Sequence, residues 1–372
     1  MADEYWRVVP RLRSNIVERI AERPPEGCEK LRLFAWKIHR DFDEDLLDTL
    51  PGSVLVRRIR FFPLAARVLF SKAPRVLELP EPMWYRYWPS TVALAALARI
   101  RGAQRPVVGS VAMENFPARR GLALRQLRLP RVLDPLLRFA WRRSLNLWDA
   151  FFFMSEAASE NYHDAAPKAI NRANVEHGLE LVPACPSCEL TPAMSRERVV
   201  LYAAQFIARK GIDTLLDAWP AVSAQLDDWE LRLAGFGPLT PRVRDWAATR
   251  SEVTVAVAPT RAELHEAFRR AAIVVLPSRE TEWWREQIGY PILEGLSHGC
   301  AVVTTEDTGL AEWLRSHGQE VVPAGDSSAL ADALLRMCTR PERPSAVADL
   351  PEEDTRHVAE RWFSLLARER DA

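Results

Sequence analysis

An alternation of short apolar runs and helical stretches, interrupted once and then resumed, constrains the fold of this chain more than any other feature. In the first half, runs rich in β-branched and aromatic residues, such as 5–9 and 54–59, alternate with helical stretches such as 14–21. Residues 181–196, LVPACPSCELTPAMSR, hold three prolines and no periodicity, which is typical of a linker. The alternation restarts near residue 199. It predicts an α/β chain in which a parallel sheet wrapped by helices occurs twice.

Length and composition agree with two globular domains. The 372 residues exceed one ordinary core, and 48% hydrophobic with 27% charged residues excludes disordered and fibrous classes. We predict an N-terminal Rossmann-like domain over 1–182, a linker over 183–196, a second domain over 197–345 and a closing segment over 346–372. The sequence shows no apolar run long enough for a membrane span and no secretory signal at its start, so we expect a cytoplasmic location.

The five cysteines do not indicate a disulfide framework, because they are few and odd in number. Cys185 and Cys188 have metal-ligand spacing, but no second Cys/His pair completes a tetrahedral site. We therefore expect no bound metal.

Basic residues are concentrated in one part of a chain whose formal net charge is zero. Residues 51–150 hold 18 Lys/Arg against five Asp/Glu. Arg105 precedes a dense cluster between 119 and 143, in which the arginines are 119, 120, 125, 128, 131, 138, 142 and 143. After Pro130 a helix is expected with Arg131, Arg138 and Arg142 near one face and Leu133, Leu137 and Ala140 on another. Such a helix suits an anionic lipid surface or a polyprenyl-phosphate acceptor; a solvated basic surface is an equal alternative.

Two strand-to-helix loops of the second domain have features of anion sites, since ligands of doubly wound sheets bind beyond the carboxyl ends of the strands. Gly235 and Gly237 directly follow a predicted strand, where backbone can approach a phosphate closely. Arg209 and Lys210 stand before Gly211 at the start of a helix. Taken singly, the glycines fit an ordinary turn and the basic pair fits a solvated surface.

The stretch WWREQIGYPILEGLSHG, residues 283–299, places two carboxylates around a Gly-Tyr-Pro break. Pro291 suits a first helical position, so a helix is expected to begin at Tyr290 or Pro291, with Glu286 in the preceding loop and Glu294 in the first turn. Backbone N–H groups at a helix start suit a diphosphate, and carboxylates accept hydrogen bonds from ribose or sugar hydroxyls. This pattern indicates a nucleotide-sugar site. In the alternative, Glu294 complements the helix dipole and Glu286 is solvated.

An ordered set of short motifs in the second half resembles the donor domain of retaining glycosyltransferases of family 4, also called glycosyl transferases group 1. The motifs are Lys210-Gly211, Gly235-Phe-Gly-Pro238, Leu276-Pro-Ser278, Glu286-x7-Glu294 with Gly289-Tyr-Pro291, Gly299, Thr308-Gly-Leu-Ala-Glu312 and Gly325-Asp326. The likeness is specific over 199–340 and looser over the first half, where Met113-Glu-Asn-Phe-Pro117, Ser155-Glu-Ala157 and Glu176-His-Gly-Leu179 look like acceptor-domain motifs. The resemblance implies a GT-B fold, with two Rossmann-like domains facing a cleft and a C-terminal helix that crosses back to the N-terminal domain.

The resemblance also implies residue roles in the donor domain. Glu286 would face hydroxyls of the donor sugar, Glu294 would bind the ribose, and Lys210 would meet the diphosphate. The backbone around Gly289, Tyr290 and Pro291 would hold sugar and phosphate together. Arg209, Gly235 and Gly237 complete the expected donor-binding set, together with Gln205, which stands where many members of the family have Arg.

The acceptor side is less well defined by the sequence. Arg11 and Arg13 replace a Gly-rich turn of the family, and they would bind an anionic acceptor or the donor phosphates, or face solvent. Glu114 is a candidate base beside Asn115, with a structural hydrogen bond as its alternative.

The resemblance implies transfer of a sugar from a nucleotide diphosphate sugar to an acceptor hydroxyl with retention of configuration. The reaction would need no obligatory metal and no cofactor. The acceptor would be a sugar, a lipid-linked molecule or a small molecule such as a natural product, and no nucleic acid partner is expected. Two other classes stay open, namely a non-catalytic GT-B scaffold and a nucleotide-sugar epimerase.

Overall fold

The computed structural model of the chain describes residues 2–22, 28–39, 42–114, 131–178, 196–282, 284–340, 350–351, 353 and 355–371. It divides into two compact units, of which the first comprises 1–180 with 353–372 and the second comprises 181–352. Most of the predicted linker, with Cys185 and Cys188, lies outside the described residues, as do Asn115 and the arginines 119, 120, 125 and 128.

The first unit is built on a sheet of seven parallel strands in the order β3-β2-β1-β4-β5-β6-β7. The strands are β1 (Ala2–Leu12), β2 (Lys30–Ile38), β3 (Val54–Arg58), β4 (Pro74–Glu78), β5 (Val107–Ala112), β6 (Ala150–Phe153) and β7 (Asn174–His177). Both faces of the central strands are buried, because β5 and β6 consist entirely of buried residues. Such continuous burial is the reason that these strands have apolar runs rather than alternation.

Helices cover this sheet. They are α1 (Ser14–Glu22), α2 (Phe61–Phe70), α3 (Trp88–Ile100), α4 (Asp134–Ser144), α5 (Glu156–Ala165) and α6 (Pro167–Ile170). The start of α5 is set by Ser155, whose hydroxyl accepts a hydrogen bond from the backbone N–H of Ala158 at 3.1 Å. The sequence pattern over 170–175 predicts a strand from the sequence alone. In the structure Ile170 instead ends α6, because Pro167 suits the first turn of that helix, and β7 begins only at Asn174.

The C-terminal helix α13 (Thr355–Asp371) packs on β4 and β5 of the first unit. A Cβ on Gly109 of β5 would lie 2.6 Å from the Phe363 ring, so the aromatic side chain packs directly on the strand backbone. Arg7 of β1 donates to Glu360 of the helix at 2.5 Å and to Glu78 of β4 at 2.7 Å. The crossing of the closing helix to the N-terminal domain is therefore confirmed.

The second unit has six parallel strands in the order β10-β9-β8-β11-β12-β13. The strands are β8 (Glu197–Ala203), β9 (Glu230–Gly235), β10 (Val253–Val257), β11 (Ala271–Leu276), β12 (Ala301–Thr305) and β13 (Glu320–Val322). Its helices are α7 (Ile212–Ser223), α8 (Thr240–Ala247), α9 (Arg261–Arg270), α10 (Tyr290–Ser297), α11 (Ala311–Ser316) and α12 (Ser327–Thr339). The order reverses at β8, so the loops after β8 and β11 are neighbours at the carboxyl edge.

Short 3-10 turns complete the described elements. They lie at Glu44–Thr49, Gly102–Gln104, Arg131–Leu133, Leu145–Leu147 and Ala208–Lys210. Helix α11 was not predicted from the sequence, because its six residues are too few to show a helical period.

Candidate functional site

The loops after β8 and β11 approach each other closely at Gly211. This glycine has a φ of +72° and immediately precedes α7. A Cβ at this position would lie 1.7 Å from the carbonyl oxygen of Pro277. Only glycine fits here, and the approach brings the side chain of Lys210 next to the loop that carries Glu286.

Glu286 is a buried carboxylate with two described donors. The Lys210 ammonium donates to Oε2, and the Ser278 hydroxyl donates to the same oxygen at 2.8 Å. The backbone N–H of Gly309, in the loop after β12, donates to the Glu286 carbonyl at 3.1 Å. Residues from three neighbouring strand ends thus converge, and the arrangement fixes a cation and a carboxylate side by side.

The loop of Ser278 is held to the adjacent strand as well. Thr304 of β12 donates to the Leu276 carbonyl at 2.8 Å, and Thr305 donates to the carbonyl of Ser278. These bonds use side-chain hydroxyls at the carboxyl end of β12, so the two strand ends form one rigid edge beneath Glu286.

Helix α10 begins at Tyr290, as the sequence predicted, after Gly289 in a left-handed conformation with φ of +73°. Pro291 has no backbone N–H, so the donors that this helix end can offer are those of Gly289 and Tyr290. Glu294 is the fifth helical residue, and no acidic residue lies in the first turn. The prediction of Glu294 in the first turn is wrong, because the helix starts one turn before it.

Glu294 ends a chain of polar contacts that sequence analysis missed. Arg261, the first residue of α9, donates to Oε1 of Glu294 at 2.6 Å and lies 3.2 Å from Nε2 of His265. Nδ1 of His265 lies 3.2 Å from Nε2 of His298, a fully buried residue. Because a guanidinium can only donate, the contact with Arg261 requires Nε2 of His265 to accept, and Nδ1–H then donates to His298.

Burial sets the protonation of His298. Burial first, then the nearby His265 and the arginines around it, lowers the pKa of His298 to about 3. The neutral ring stacks on Phe268 with centroids 5.8 Å apart. The carboxylate of Glu294 is thus connected to the interior through Arg261, His265 and the neutral ring of His298.

Gly235 and Gly237 allow the loop after β9 to contact the loop after β8. A Cβ on Gly235 would lie 1.9 Å from the Ala204 carbonyl oxygen, and one on Gly237 would lie 2.5 Å from that of Phe206. The backbone of Gln205 is fixed in the same place, where its carbonyl accepts from the Tyr202 hydroxyl at 2.9 Å. Close packing between the loops gives a structural reason for glycine at both positions.

Trp284 is a further residue that sequence analysis did not assign. The guanidinium carbon of Arg209 lies over its ring, 4.0 Å from the centroid, and the Lys210 ammonium lies 5.1 Å from it. The signal in the sequence is the Trp-Trp pair at 283–284, just before Glu286.

The first unit contains a buried acid near the acceptor-side candidates. Glu81 lies three residues beyond β4, and its carboxylate accepts from the backbone N–H groups of Met113 and Glu114 at 3.1 and 2.9 Å and from the Tyr162 hydroxyl at 3.1 Å. Burial first, then the charge of Glu114, raises the pKa of Glu81 to about 8. The backbone carbonyl of Glu114 accepts from Asn161 at 2.9 Å, so the backbone of Glu114 is held on both sides.

The other acceptor-side candidates are only partly described. Arg11 and Arg13 lie at the carboxyl end of β1 and just beyond it, and both side chains are exposed. Asn115 lies outside the described residues. No group of three or more His, Cys, Asp or Glu side chains that could hold a metal ion occurs among the residues the structure describes.

The two parallel sheets with their flanking helices define the GT-B fold. WaaG, a glycosyltransferase involved in lipopolysaccharide biosynthesis, has a similar structure, with a TM-score of 0.58 and 13% identity over 98% of this chain and 94% of that chain. A protein assigned as a UDP-N-acetylglucosamine 2-epimerase from Listeria monocytogenes has a TM-score of 0.63 and 11% identity over 100% of this chain and 98% of that chain. At such identities the likeness shows the fold alone.

The sequence of the second unit is similar to that of known proteins. Residues 197–340 match the family model described as glycosyl transferases group 1. Over 138 residues the chain is 33% identical to a phosphatidyl-myo-inositol mannosyltransferase of Mycobacterium leprae (strain TN), which covers 35% of this chain and 34% of that protein. The match thus spans about a third of that curated relative.

Proposed function

We propose that the protein is a metal-independent glycosyltransferase that moves a sugar from a nucleotide diphosphate sugar to an acceptor hydroxyl with retention of configuration. One observation carries the proposal: Lys210, Ser278 and Glu286 converge at adjacent strand ends within the glycosyl transferases group 1 domain. A fixed cation beside a fixed carboxylate suits a donor that carries a diphosphate next to sugar hydroxyls.

The chemistry requires mainly electrostatic stabilisation, since the leaving group of the donor is already a diphosphate. Lys210 would stabilise the negative charge that grows on the diphosphate as the glycosidic bond breaks. Glu286 would orient the sugar through its hydroxyls and so align the reacting carbon. Both described donors to Glu286 bind Oε2, so Oε1 is the oxygen that we assign to the sugar.

Glu294 would bind the ribose. Arg261 donates to Oε1 of this carboxylate, and the contact would fix the carboxylate plane so that Oε2 accepts from the hydroxyls. The N–H groups of Gly289 and Tyr290 would meet the phosphate, at the positive end of α10.

The first test is donor turnover. The protein would be incubated with a panel of UDP- and GDP-sugars in the presence of a chelator, and nucleoside diphosphate release would be followed with and without candidate acceptors. We expect release from one donor, a thermal shift with the same donor, and a product of unchanged anomeric configuration by NMR. The absence of release with every donor would contradict the proposal and favour a non-catalytic scaffold.

The same experiment separates the epimerase alternative, which the shared fold leaves open. An epimerase changes the sugar while it stays attached to the nucleotide, and it needs no acceptor. NMR of the donor incubated alone would show a new nucleotide sugar in that case, whereas a transferase gives only slow hydrolysis.

We further propose that the acceptor is lipid-linked and that α4 meets an anionic membrane surface. The predicted apolar face of Leu133, Leu137 and Ala140 is only partly exposed; the strongly exposed side chains are Val132, Leu136 and Phe139, at 80%, 63% and 64%. Trp141 fixes this orientation, because it is buried and its indole donates to the Pro82 carbonyl at 3.0 Å.

Positive charge next to the exposed face of Val132, Leu136 and Phe139 supports a lipid partner. Arg142 and Arg143 are exposed on the same helix, and exposed apolar groups beside arginines suit the headgroup region of anionic lipid. No helix among the described residues is long and apolar enough to cross a bilayer.

Flotation with vesicles would test this membrane contact. Binding to vesicles with anionic lipid at low ionic strength should be lost when Leu136 and Phe139 are both changed to Ser, and should weaken with added salt. Leu55→Ser, on the edge strand β3 and 47% exposed, is the control and should bind normally. Equal flotation of all variants would reject α4 as the contact.

A further inference from the structure

Trp284 is held rigidly two residues before Glu286. The backbone N–H of Thr281 donates to the Trp284 carbonyl at 2.8 Å, and the Trp284 N–H donates back at 3.4 Å. The Trp284 ring lies against two consecutive cations, with the guanidinium carbon of Arg209 at 4.0 Å and the Lys210 ammonium at 5.1 Å from the ring centroid. Both distances are within the range of cation–π attraction.

Two adjacent cations repel each other. A ring that attracts both of them therefore offsets part of that repulsion. Lys210 is held from the other side by Glu286. Arg209 is held from its backbone, where its carbonyl accepts from the Arg279 N–H at 3.0 Å. The Trp284 ring therefore adds a third contact that holds the Arg209 guanidinium and the Lys210 ammonium close together.

The contact with Trp284 also restrains the guanidinium of Arg209. A guanidinium that lies over a ring keeps its N–H donors in its own plane, where they can bind two oxygens of a phosphate at once. A lysine ammonium offers a point charge beside it. Together the two groups match the two phosphates of a diphosphate.

We propose that Trp284 is a positioning residue that holds Arg209 beside Lys210, so that the two cations bind the diphosphate of the donor. The proposal rests on the proposed function for the identity of that donor. It adds Trp284 to the site and makes Arg209 the second cation, in a loop where Gln205 is uncharged.

Inorganic pyrophosphate is the probe for this pair of cations, because its binding needs neither base nor sugar. Isothermal titration would compare wild type with Trp284→Leu and Trp284→Phe. We expect Trp284→Leu to weaken pyrophosphate binding about three- to ten-fold, the range of one lost cation–π contact. Trp284→Phe keeps an aromatic face and should recover most of the affinity.

A double variant separates positioning from a general structural effect. Arg209→Ala alone should weaken binding, and Trp284→Leu added to it should produce less than the product of the single effects, since the contact of the ring with Arg209 is already lost. The matched control is Trp246→Leu. Trp246 stacks with Arg250 at 4.1 Å in the same unit, so the same change removes the same kind of contact away from the site and should leave pyrophosphate affinity unchanged.

Unchanged affinity in Trp284→Leu, full additivity with Arg209→Ala, or no pyrophosphate binding by wild type would overturn the proposal. Nucleotide release from the donor panel is the independent measure of the proposed function. Release with no effect of Trp284 would reject the positioning role alone. Pyrophosphate binding as predicted, without release from any donor, would reject transfer and leave the role of Trp284 standing.

Discussion

Glu286 and Glu294 are two carboxylates with different predicted partners, and the difference can be measured. Glu286→Gln should bind free UDP or GDP almost normally, because the partner of Glu286 is the sugar. It should lower turnover about ten-fold or more, the effect expected from the loss of one charged hydrogen bond. Glu294→Gln should lower the affinity for the free nucleotide, because one oxygen that accepts from the ribose hydroxyls is replaced by an N–H donor. Lys210→Ala should reduce both binding and turnover.

Isothermal titration with the nucleotide, beside initial rates, checks these outcomes. Glu230→Gln is the control, because Glu230 is an exposed residue at the start of β9 and its change should alter neither quantity. Equal nucleotide affinity in the Glu286, Glu294 and Lys210 variants would mean that this segment is structural.

Glu81 is expected to make stability depend on pH. The pKa of this carboxyl is raised to about 8 in the folded protein by burial and by Glu114, so the folded state keeps a proton that the unfolded state has lost. This contribution to the free energy of unfolding should therefore fall as pH rises from about 4.5 to about 8, by a few kcal/mol in order of magnitude.

Urea unfolding of wild type and Glu81→Gln across that range tests the prediction. The variant loses an acceptor for a backbone N–H and is expected to be less stable at low pH. Its stability should nevertheless decline less with rising pH than that of wild type. Parallel pH profiles for the two proteins would be inconsistent with a proton on Glu81.

At the scale of elements, helices α9 and α10 share a contact that should be sensitive to acid. The pKa of His298 is lowered to about 3 by burial and its neighbours, so the unfolded state binds a proton more readily. The contribution of neutral His298 to the free energy of unfolding is complete above about pH 6.5 and is lost as pH falls towards 3. At about pH 5 the loss should be on the order of 2 kcal/mol.

His298→Gln removes the titration while keeping an acceptor for His265. Unfolding by urea at about pH 7 and pH 5 should show a smaller acid-induced loss in the variant than in wild type. An equal loss would show that other groups account for acid sensitivity. His317→Gln, at the C-cap of α11, is the control, because this ring is only partly buried.

For the whole molecule, the buried network of Arg7, Glu78 and Glu360 joins the ends of the chain within the first unit. Burial alone would raise the pKa of Glu78, yet Arg7 and Arg356, with the Tyr5 hydroxyl, hold it below its ordinary value. Arg7→Leu removes the partner of Glu360 and leaves Glu78 with only Arg356 and the Tyr5 hydroxyl, and it should destabilise the first unit by about 3 to 5 kcal/mol.

Chemical denaturation with a parallel nucleotide titration checks this effect. Nucleotide affinity should be unchanged under native conditions, because the candidate donor residues belong to the second unit. Arg32→Leu is the control: Arg32 pairs with Glu4 at 2.6 Å with its side chain 30% exposed, and its loss should cost about 1 kcal/mol or less. Equal destabilisation by Arg7→Leu and Arg32→Leu would show that the buried network contributes no more to stability than an exposed ion pair.

The sequence by itself determined the local elements and the order of the motifs. Apolar runs indicated most strands of both sheets, with the stretch over 170–175 as an exception, and Gly289 with Pro291 indicated the start of α10, because these signals act within a few residues. Lys210 and Glu286 were predicted for one site, and the structure brings them into contact.

Only the tertiary structure decided which distant groups became partners. Arg261 meets Glu294, and Glu81 meets the backbone of Glu114, across 33 residues in each case. Trp284 faces Arg209 for the same reason, because strand order and loop packing bring them together. Likewise, the buried anchor Trp141 determined which side of α4 is exposed. Local periodicity carries no information about such contacts, since they arise when the sheet order and burial are established.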